Sequence, residues 1–186
     1  MRIVELTRET TQNILENMLK RSPNQYQGYE KTVNEIIADV KERGDEALFA
    51  YTEKFDRAAL TAETVEVTEE EVREAYQQID PKLLDVIKKA LVNIRDYHAM
   101  QKQNSWFDSK ENGTILGQKI TPLQRVGVYV PGGKAVYPSS VLMNIMPAKV
   151  AGVEEIIMAT PCNAEGKVNP AVLAAAKEAG ADRVFK

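Results

Sequence analysis

Cysteine and histidine each occur once in the 186 residues, and aromatic residues make up only 6%. With Cys162 alone there is no disulfide framework, and a reducing cytoplasm is the expected compartment. Basic residues number 24 against 27 acidic ones, for a net charge of −3. No Lys/Arg block is dense enough to follow a phosphate backbone, so nucleic acid is not expected as a partner. No stretch approaches the roughly 18 apolar residues of a membrane helix. The opening MRIVELTRETTQ turns polar too soon for a signal peptide. Asn112-Gly113-Thr114 fits a glycosylation sequon, but without a secretory signal it reads as a turn. The G-x-G-x-x-G and Walker A patterns are both missing, which disfavours an ordinary Rossmann dehydrogenase or a P-loop enzyme.

What remains is a balanced globular composition, 44% hydrophobic and 27% charged, with length enough for a real core. Residues 1–124 read as a mainly helical first part. Ile14, Leu15, Met18 and Leu19 share one helix face, and Ser22-Pro23 should stop that helix. Val33, Ile36, Ile37 and Val40 repeat the pattern, closed by Gly44 after a basic last turn. Asp45 is expected to cap the next helix, which carries Leu48 and Tyr51. Val65 and Val67 suggest a short strand, and Thr68 with Glu71 a capping box for a helix through Gln78. Glu69-Glu70-Glu71 reads as a first turn favoured by the helix dipole alone. Asp80-Pro81 opens a long helix with the stripe Leu84, Ile87, Leu91, Ile94 and His98. A β-hairpin over residues 105–123 should turn at Asn112-Gly113 in type I′ geometry.

From residue 125 to 186 the pattern becomes β-α-β-α-β. Val126–Val130 is a strand broken by Pro131-Gly132-Gly133. A helix capped by Ser139 or Ser140 follows, carrying Val141, Leu142, Ile145 and Ala148, with Pro147 expected to kink it and Gly152 to end it. Ile156–Ala159 is a second strand, Asn169-Pro170 opens an alanine-rich helix ended by Gly180, and Arg183–Phe185 is a third. Crossovers of this length imply parallel strands with right-handed connections. The expected fold is therefore α/β, a helical N-terminal half joined by a β-hairpin to an incomplete Rossmann-like βαβαβ unit. Three strands with two helices should leave one sheet face poorly covered.

Open parallel sheets bind ligands at the carboxyl ends of their strands. That edge carries Tyr129, Pro131, Gly132, Gly133 and Lys134. Paired glycines let backbone N–H groups approach an anion, and a strand-end tyrosine can stack on a flat ring. The plainer reading stays open, with Gly132-Gly133 only a tight turn and Tyr129 a buried sheet residue. His98 closes an apolar stripe with no metal-ligand spacing around it, which suits packing better than catalysis. Cys162 has no activating base nearby in sequence and reads as a small packed side chain. A ligand edge is thus visible, and a complete catalytic set is not.

The stretch Arg125-Val-Gly-Val-Tyr-Val-Pro-Gly-Gly-Lys-Ala-Val-Tyr-Pro-Ser-Ser-Val-Leu-Met-Asn-Ile-Met-Pro-Ala-Lys-Val-Ala-Gly-Val153 resembles the signature region of the histidinol dehydrogenase family. Asp39-Val-Lys-Glu-Arg-Gly-Asp-Glu-Ala-Leu48, Tyr51-Thr-Glu-Lys-Phe-Asp56 and Asn93-Ile-Arg-Asp-Tyr-His-Ala-Met-Gln101 resemble it in the same order. The resemblance implies oxidation of L-histidinol through the aldehyde to L-histidine, the last step of histidine biosynthesis, with NAD as hydride acceptor, a zinc ion and a Glu-His pair. It implies a cytoplasmic homodimer whose sites are completed by the partner. It places the family's cofactor-contacting tyrosine at Tyr129. The zinc ligands and the Glu-His pair are expected beyond Lys186, so no metal-binding or catalytic residue is assigned within these positions. The chain alone is accordingly expected to be inactive. A stand-alone, non-catalytic nucleotide-binding or assembly module is the alternative, and an aldehyde dehydrogenase-like enzyme using Cys162 a third reading.

Overall fold

The computed structural model describes residue 5 and residues 7–19, 27–132 and 136–186 of the chain. Two compact units divide it, residues 1–48 and 49–186. In the first, α1 (Arg8–Leu19) begins where Thr7 and Thr10 exchange backbone-to-hydroxyl bonds of 2.8 and 3.1 Å. The expected stop at Ser22-Pro23 lies outside the described residues, as do the side chains of Leu15, Met18 and Leu19. Helix α2 (Gln27–Arg43) ends at Gly44, whose φ of +59° is the left-handed conformation that glycine adopts without a Cβ clash. Helix α3 (Asp45–Asp56) follows directly. Asp45 is its first helical residue and not its cap, because the Gly44 carbonyl already accepts the Leu48 N–H at 3.2 Å.

In the second unit, α4 (Glu69–Gln78) opens on the expected capping box, with Thr68 accepting from the Glu71 N–H and the Glu71 carboxylate accepting from Thr68. Helix α5 (Pro81–Ala99) starts on the Asp80 cap with proline at its first position. Its stripe is buried at Ile87 and half-buried at Leu84, Leu91, Ile94 and His98. Strands β1 (Trp106–Ser109) and β2 (Ile115–Gln118) form the hairpin, exposed along both strands. Its turn is not type I′. Only Gly113 takes positive φ, at +82°, its N–H bonds the Lys110 carbonyl, and Lys110 and Thr114 close a three-residue loop. This is a type I turn followed by a left-handed glycine, the usual solution when three residues separate the strands.

Strands β3 (Arg125–Tyr129), β4 (Glu155–Ala159) and β5 (Arg183–Phe185) form a parallel sheet in that order, linked by α6 (Pro138–Ala151) and α7 (Pro170–Ala179). The fold is thus mixed α/β, as expected. Helix α6 begins at Pro138 with Tyr137 at the cap position and no side-chain cap bond, so neither Ser139 nor Ser140 caps it. Proline's fixed φ starts the helix one residue before the serines. Pro147 lies inside α6, which continues to Ala151 before Gly152 stops it at φ +90°. Asn169 caps α7 and Gly180 ends it.

Side chains alternate across the sheet. Ile156, Met158 and Val184 are buried, with Val126 and Val128 packed beside them, in one core with Leu142, Ile145, Leu173 and Ala175 from α6 and α7. Each large side chain buried there contributes about 1.5–3 kcal/mol. Helices α4 and α5 pack on the outer side of α6 and α7, giving three layers. The alanine-rich sequence of α7 makes this possible, because Ala174, Ala175 and Ala176 are at most 1% exposed between neighbours on both sides. The other sheet face bears Arg125, Tyr129, Ala159 and Arg183, all exposed. The expected strand at Val65 and Val67 is reduced to a single antiparallel bridge, Glu66 to Phe185, flanked by Val67 N–H to Val184 O and Lys186 N–H to Val65 O at 2.9 Å. It covers the outer edge of β5.

Candidate functional site

The carboxyl ends of β3, β4 and β5 lie in register, with Tyr129 beside Ala159 and Ala159 beside Phe185. Tyr129 is 64% exposed, which disposes of its reading as a buried sheet residue. It stands on the open face, next to the small Ala159, where a flat ring could lie against the phenol. Pro131-Gly132 leads away from it. A Cβ on Gly132 would stand 3.3 Å from Pro161, so glycine there lets the β3 and β4 loops pack closely. Gly133 and Lys134 lie outside the described residues.

Behind this edge, on the helix-covered side, a cavity of about 510 Å³ opens between the two loops, α4 and the start of α7. Thr160, Cys162, Asn169 and Gly132 line it, together with Glu71, Glu74, Glu165 and Lys167. Thr160 is only 3% exposed. The sequence reading does not single it out, although a polar residue directly after the apolar run Ile156–Ala159 is the available signal.

The acidic run of α4 does more than complement its own dipole. Lys177 bonds Glu69 at 3.2 Å, Lys167 bonds Glu74 at 3.2 Å, and Lys186 bonds Glu71 at 2.8 Å. The last pair is nearly dry, its side chains 6% and 13% exposed. Burial pushes the Glu71 carboxyl up, but the Lys186 ammonium, the Thr68 N–H and Lys167 together hold it below the ordinary carboxylate value. Burial followed by the bond to Glu178 raises the Tyr76 phenol well above its usual value.

His98 is half-buried near the end of α5, its Nδ1 2.7 Å from the Gln101 Oε1 and its ring edge-on to Tyr97. It stands beside a different cavity, with Pro122 and Pro147. Cys162 is half-buried, and burial drives its thiol up, away from the reactive thiolate. The structure therefore does not bring Tyr129, His98 and Cys162 into one site. Among the described residues no group of three or more His, Cys, Asp or Glu side chains is placed to hold a metal ion. No helix among them is long and apolar enough to cross a membrane.

Comparison with known proteins adds a family. A model of histidinol dehydrogenase matches residues 19–186. The histidinol dehydrogenase of Geobacillus kaustophilus is 53% identical over 156 residues, covering 84% of this chain and 36% of that protein. That of Methanosarcina barkeri is 51% identical over 157 residues, covering 84% and 36%. The crystal structure of histidinol dehydrogenase from Elizabethkingia anophelis superposes with a TM-score of 0.78 at 34% identity, over 84% of this chain and 36% of that one. The chain thus spans little more than a third of the length of these relatives.

Proposed function

Because the chain belongs to the histidinol dehydrogenase family, we propose that it forms the N-terminal portion of an enzyme that oxidises L-histidinol to L-histidine through the aldehyde, and that it supplies one edge of the NAD site. The observation that carries the reading is Tyr129. It lies within the matched segment, at the carboxyl end of a parallel strand, with its ring 64% exposed and next to Pro131-Gly132. Bound NAD would supply the hydride acceptor, and Tyr129 would orient one of its flat rings by stacking. Among the described residues no group of three or more His, Cys, Asp or Glu side chains is assembled for the zinc ion that the family resemblance implies. The metal ligands and the proton-transferring pair are proposed to lie in the two-thirds of the relatives' length that this chain does not span.

On this reading the chain alone turns nothing over, because a site needs several groups held together and one edge provides little. The open sheet face and the exposed Trp106, Phe107, Ile115 and Leu116 of the hairpin support self-association, in keeping with a homodimeric, cytoplasmic enzyme. The functional boundary falls near residues 124 and 125, where the cofactor-binding unit begins. The test is NADH formation by the purified chain with saturating L-histidinol, NAD and zinc, beside NAD binding by calorimetry. No turnover with Tyr129-dependent NAD binding is expected; turnover by the chain alone would overturn the division of labour.

A further inference from the structure

The turn of the hairpin carries a chemistry that the proposed function does not use. Asn112-Gly113 is the single Asn-Gly pair in the sequence, and both residues are exposed. The fold asks for glycine at the second position, because φ there is +82°, a conformation that a Cβ disfavours. The same missing Cβ leaves the Gly113 nitrogen unscreened, with nothing within 4 Å of the place a Cβ would occupy. The Asn112 side chain is folded back along the main chain, its Oδ1 accepting the Thr114 N–H at 3.0 Å. Its reach to the intervening Gly113 nitrogen is therefore short.

We propose that Asn112 is a self-modification site, where the chain converts its own asparagine into aspartate and isoaspartate with water as the co-reactant. The Gly113 nitrogen attacks Cγ of Asn112 and gives up its proton to water. Nδ2 takes a proton and leaves as ammonia, which closes a cyclic imide. Water then opens the ring. Entry at Cγ gives aspartate on the original backbone, and entry at the main-chain carbonyl gives isoaspartate, whose backbone runs through the former side chain. The net change is hydrolysis of an amide, so no oxidant or reductant is needed.

Two hydrogen bonds close the loop and set the pace. The Gly113 N–H is donated to the Lys110 carbonyl at 3.0 Å, and the Lys110 N–H to the Thr114 carbonyl at 2.9 Å. Both come free when the loop opens and the nitrogen turns onto Cγ. A two-stranded ribbon exposed along both strands opens readily. Two net bonds slow the folded chain about fivefold to a hundredfold relative to the free segment. The two products affect the hairpin differently. Aspartate keeps an acceptor for the Thr114 N–H. Isoaspartate lengthens the backbone by one carbon beside the paired Ser109 and Ile115. It therefore loosens the ribbon that presents Trp106, Phe107, Ile115 and Leu116.

The experiment incubates the intact chain in neutral buffer made with water enriched in heavy oxygen, digests it in ordinary water and maps the tryptic peptides. A synthetic peptide of residues 111–119 is incubated alongside. One heavy oxygen should enter the 111–119 peptide of the chain, which splits into two products, and the free peptide should react faster by the factor above. The 103–110 peptide, whose exposed Asn104 precedes Ser105, should stay unlabelled over the same time. Asn112→Gln should stay unlabelled too, because its longer side chain would have to close a larger ring. Trp106, the only tryptophan, reports the consequence, with emission shifted in the purified isoaspartate form and unchanged in Asn112→Asp. Label in the free peptide with none in the chain would mean that the turn protects Asn112, and would overturn the proposal. Equal label at Asn104 would overturn the role of Gly113. Unchanged Trp106 emission in the isoaspartate form would overturn the effect on the ribbon.

Discussion

Replacing Glu71 by Gln isolates one charge in the interior of the second unit. The carboxylate holds Lys186 at 2.8 Å, with side-chain exposures of 13% and 6%, and stands 3.9 Å from Lys167. Exposed pairs contribute 0–1 kcal/mol at the median, whereas breaking a buried pair costs about 3–5 kcal/mol because the surviving charge is left without compensation. Gln keeps the capping-box acceptor for the Thr68 N–H, so the lower end applies, about 3 kcal/mol. Urea unfolding at pH 7 followed by circular dichroism should show the midpoint fall by about 1–2 M. The pH dependence carries a sign. The folded carboxyl sits below its ordinary value of 4.5, so its contribution is fully present above that value and is lost as pH falls through the folded one. The gap between wild type and variant should be level from neutral pH down to about 5 and close in stronger acid. Glu69→Gln is the internal control, since its pair with Lys177 is 74% and 50% exposed and should be worth less than about 1 kcal/mol. A Glu71→Gln loss no larger than that of Glu69→Gln, or a gap that persists unchanged in acid, would refute the reasoning.

Three further outcomes follow from the same structure. Gly180→Ala should destabilise by about 1–2 kcal/mol, because φ is +85° and the new methyl would meet Lys149 Cε at 3.0 Å; thermal melting reads this directly. Ala175→Val should cost about 1–3 kcal/mol by overpacking a fully buried position in the middle layer, seen as a lower urea midpoint. Tyr129→Ala should leave the melting temperature unchanged, since the ring is 64% exposed, while weakening NAD binding several-fold for loss of one ring stack, on the order of 0.5–1.5 kcal/mol; a fall in stability with unchanged NAD affinity would make Tyr129 a packing residue instead.

Local chemistry is readable along the chain where two signals agree. Thr68 with Glu71, Asp80 with Pro81 and Asn169 with Pro170 each combine an acceptor with a compatible helix start, and all three helices begin there. Gly44, Gly152 and Gly180 end helices in the left-handed conformation that glycine adopts without a Cβ clash. Reading fails where two local devices compete. Pro138 starts α6 ahead of both serines. Asn112-Gly113 fits two hairpin turns, and the separation of Lys110 and Thr114 selects the one in which only the glycine needs positive φ. The side of the sheet left open follows from strand order alone, because consecutive right-handed crossovers place both helices on the same face.

The candidate site divides along the same line. Tyr129 and Pro131-Gly132 belong to one short strand and its turn, so neighbouring positions carry them together. The cavity beside Thr160 has a wall made by α4, whose Glu71 and Glu74 are 89 and 86 positions earlier, and no local pattern records that juxtaposition. The acidic start of α4 is only half legible for this reason. Its carboxylates answer a dipole, as expected, and also Lys167, Lys177 and Lys186 from the far end of the chain. These three lysines come from the α7 approach, from α7 itself and from the end of β5, so together they fix α4 against the carboxyl edge of the sheet. Loosening that clamp at Glu71 should therefore disturb the cavity as well as stability.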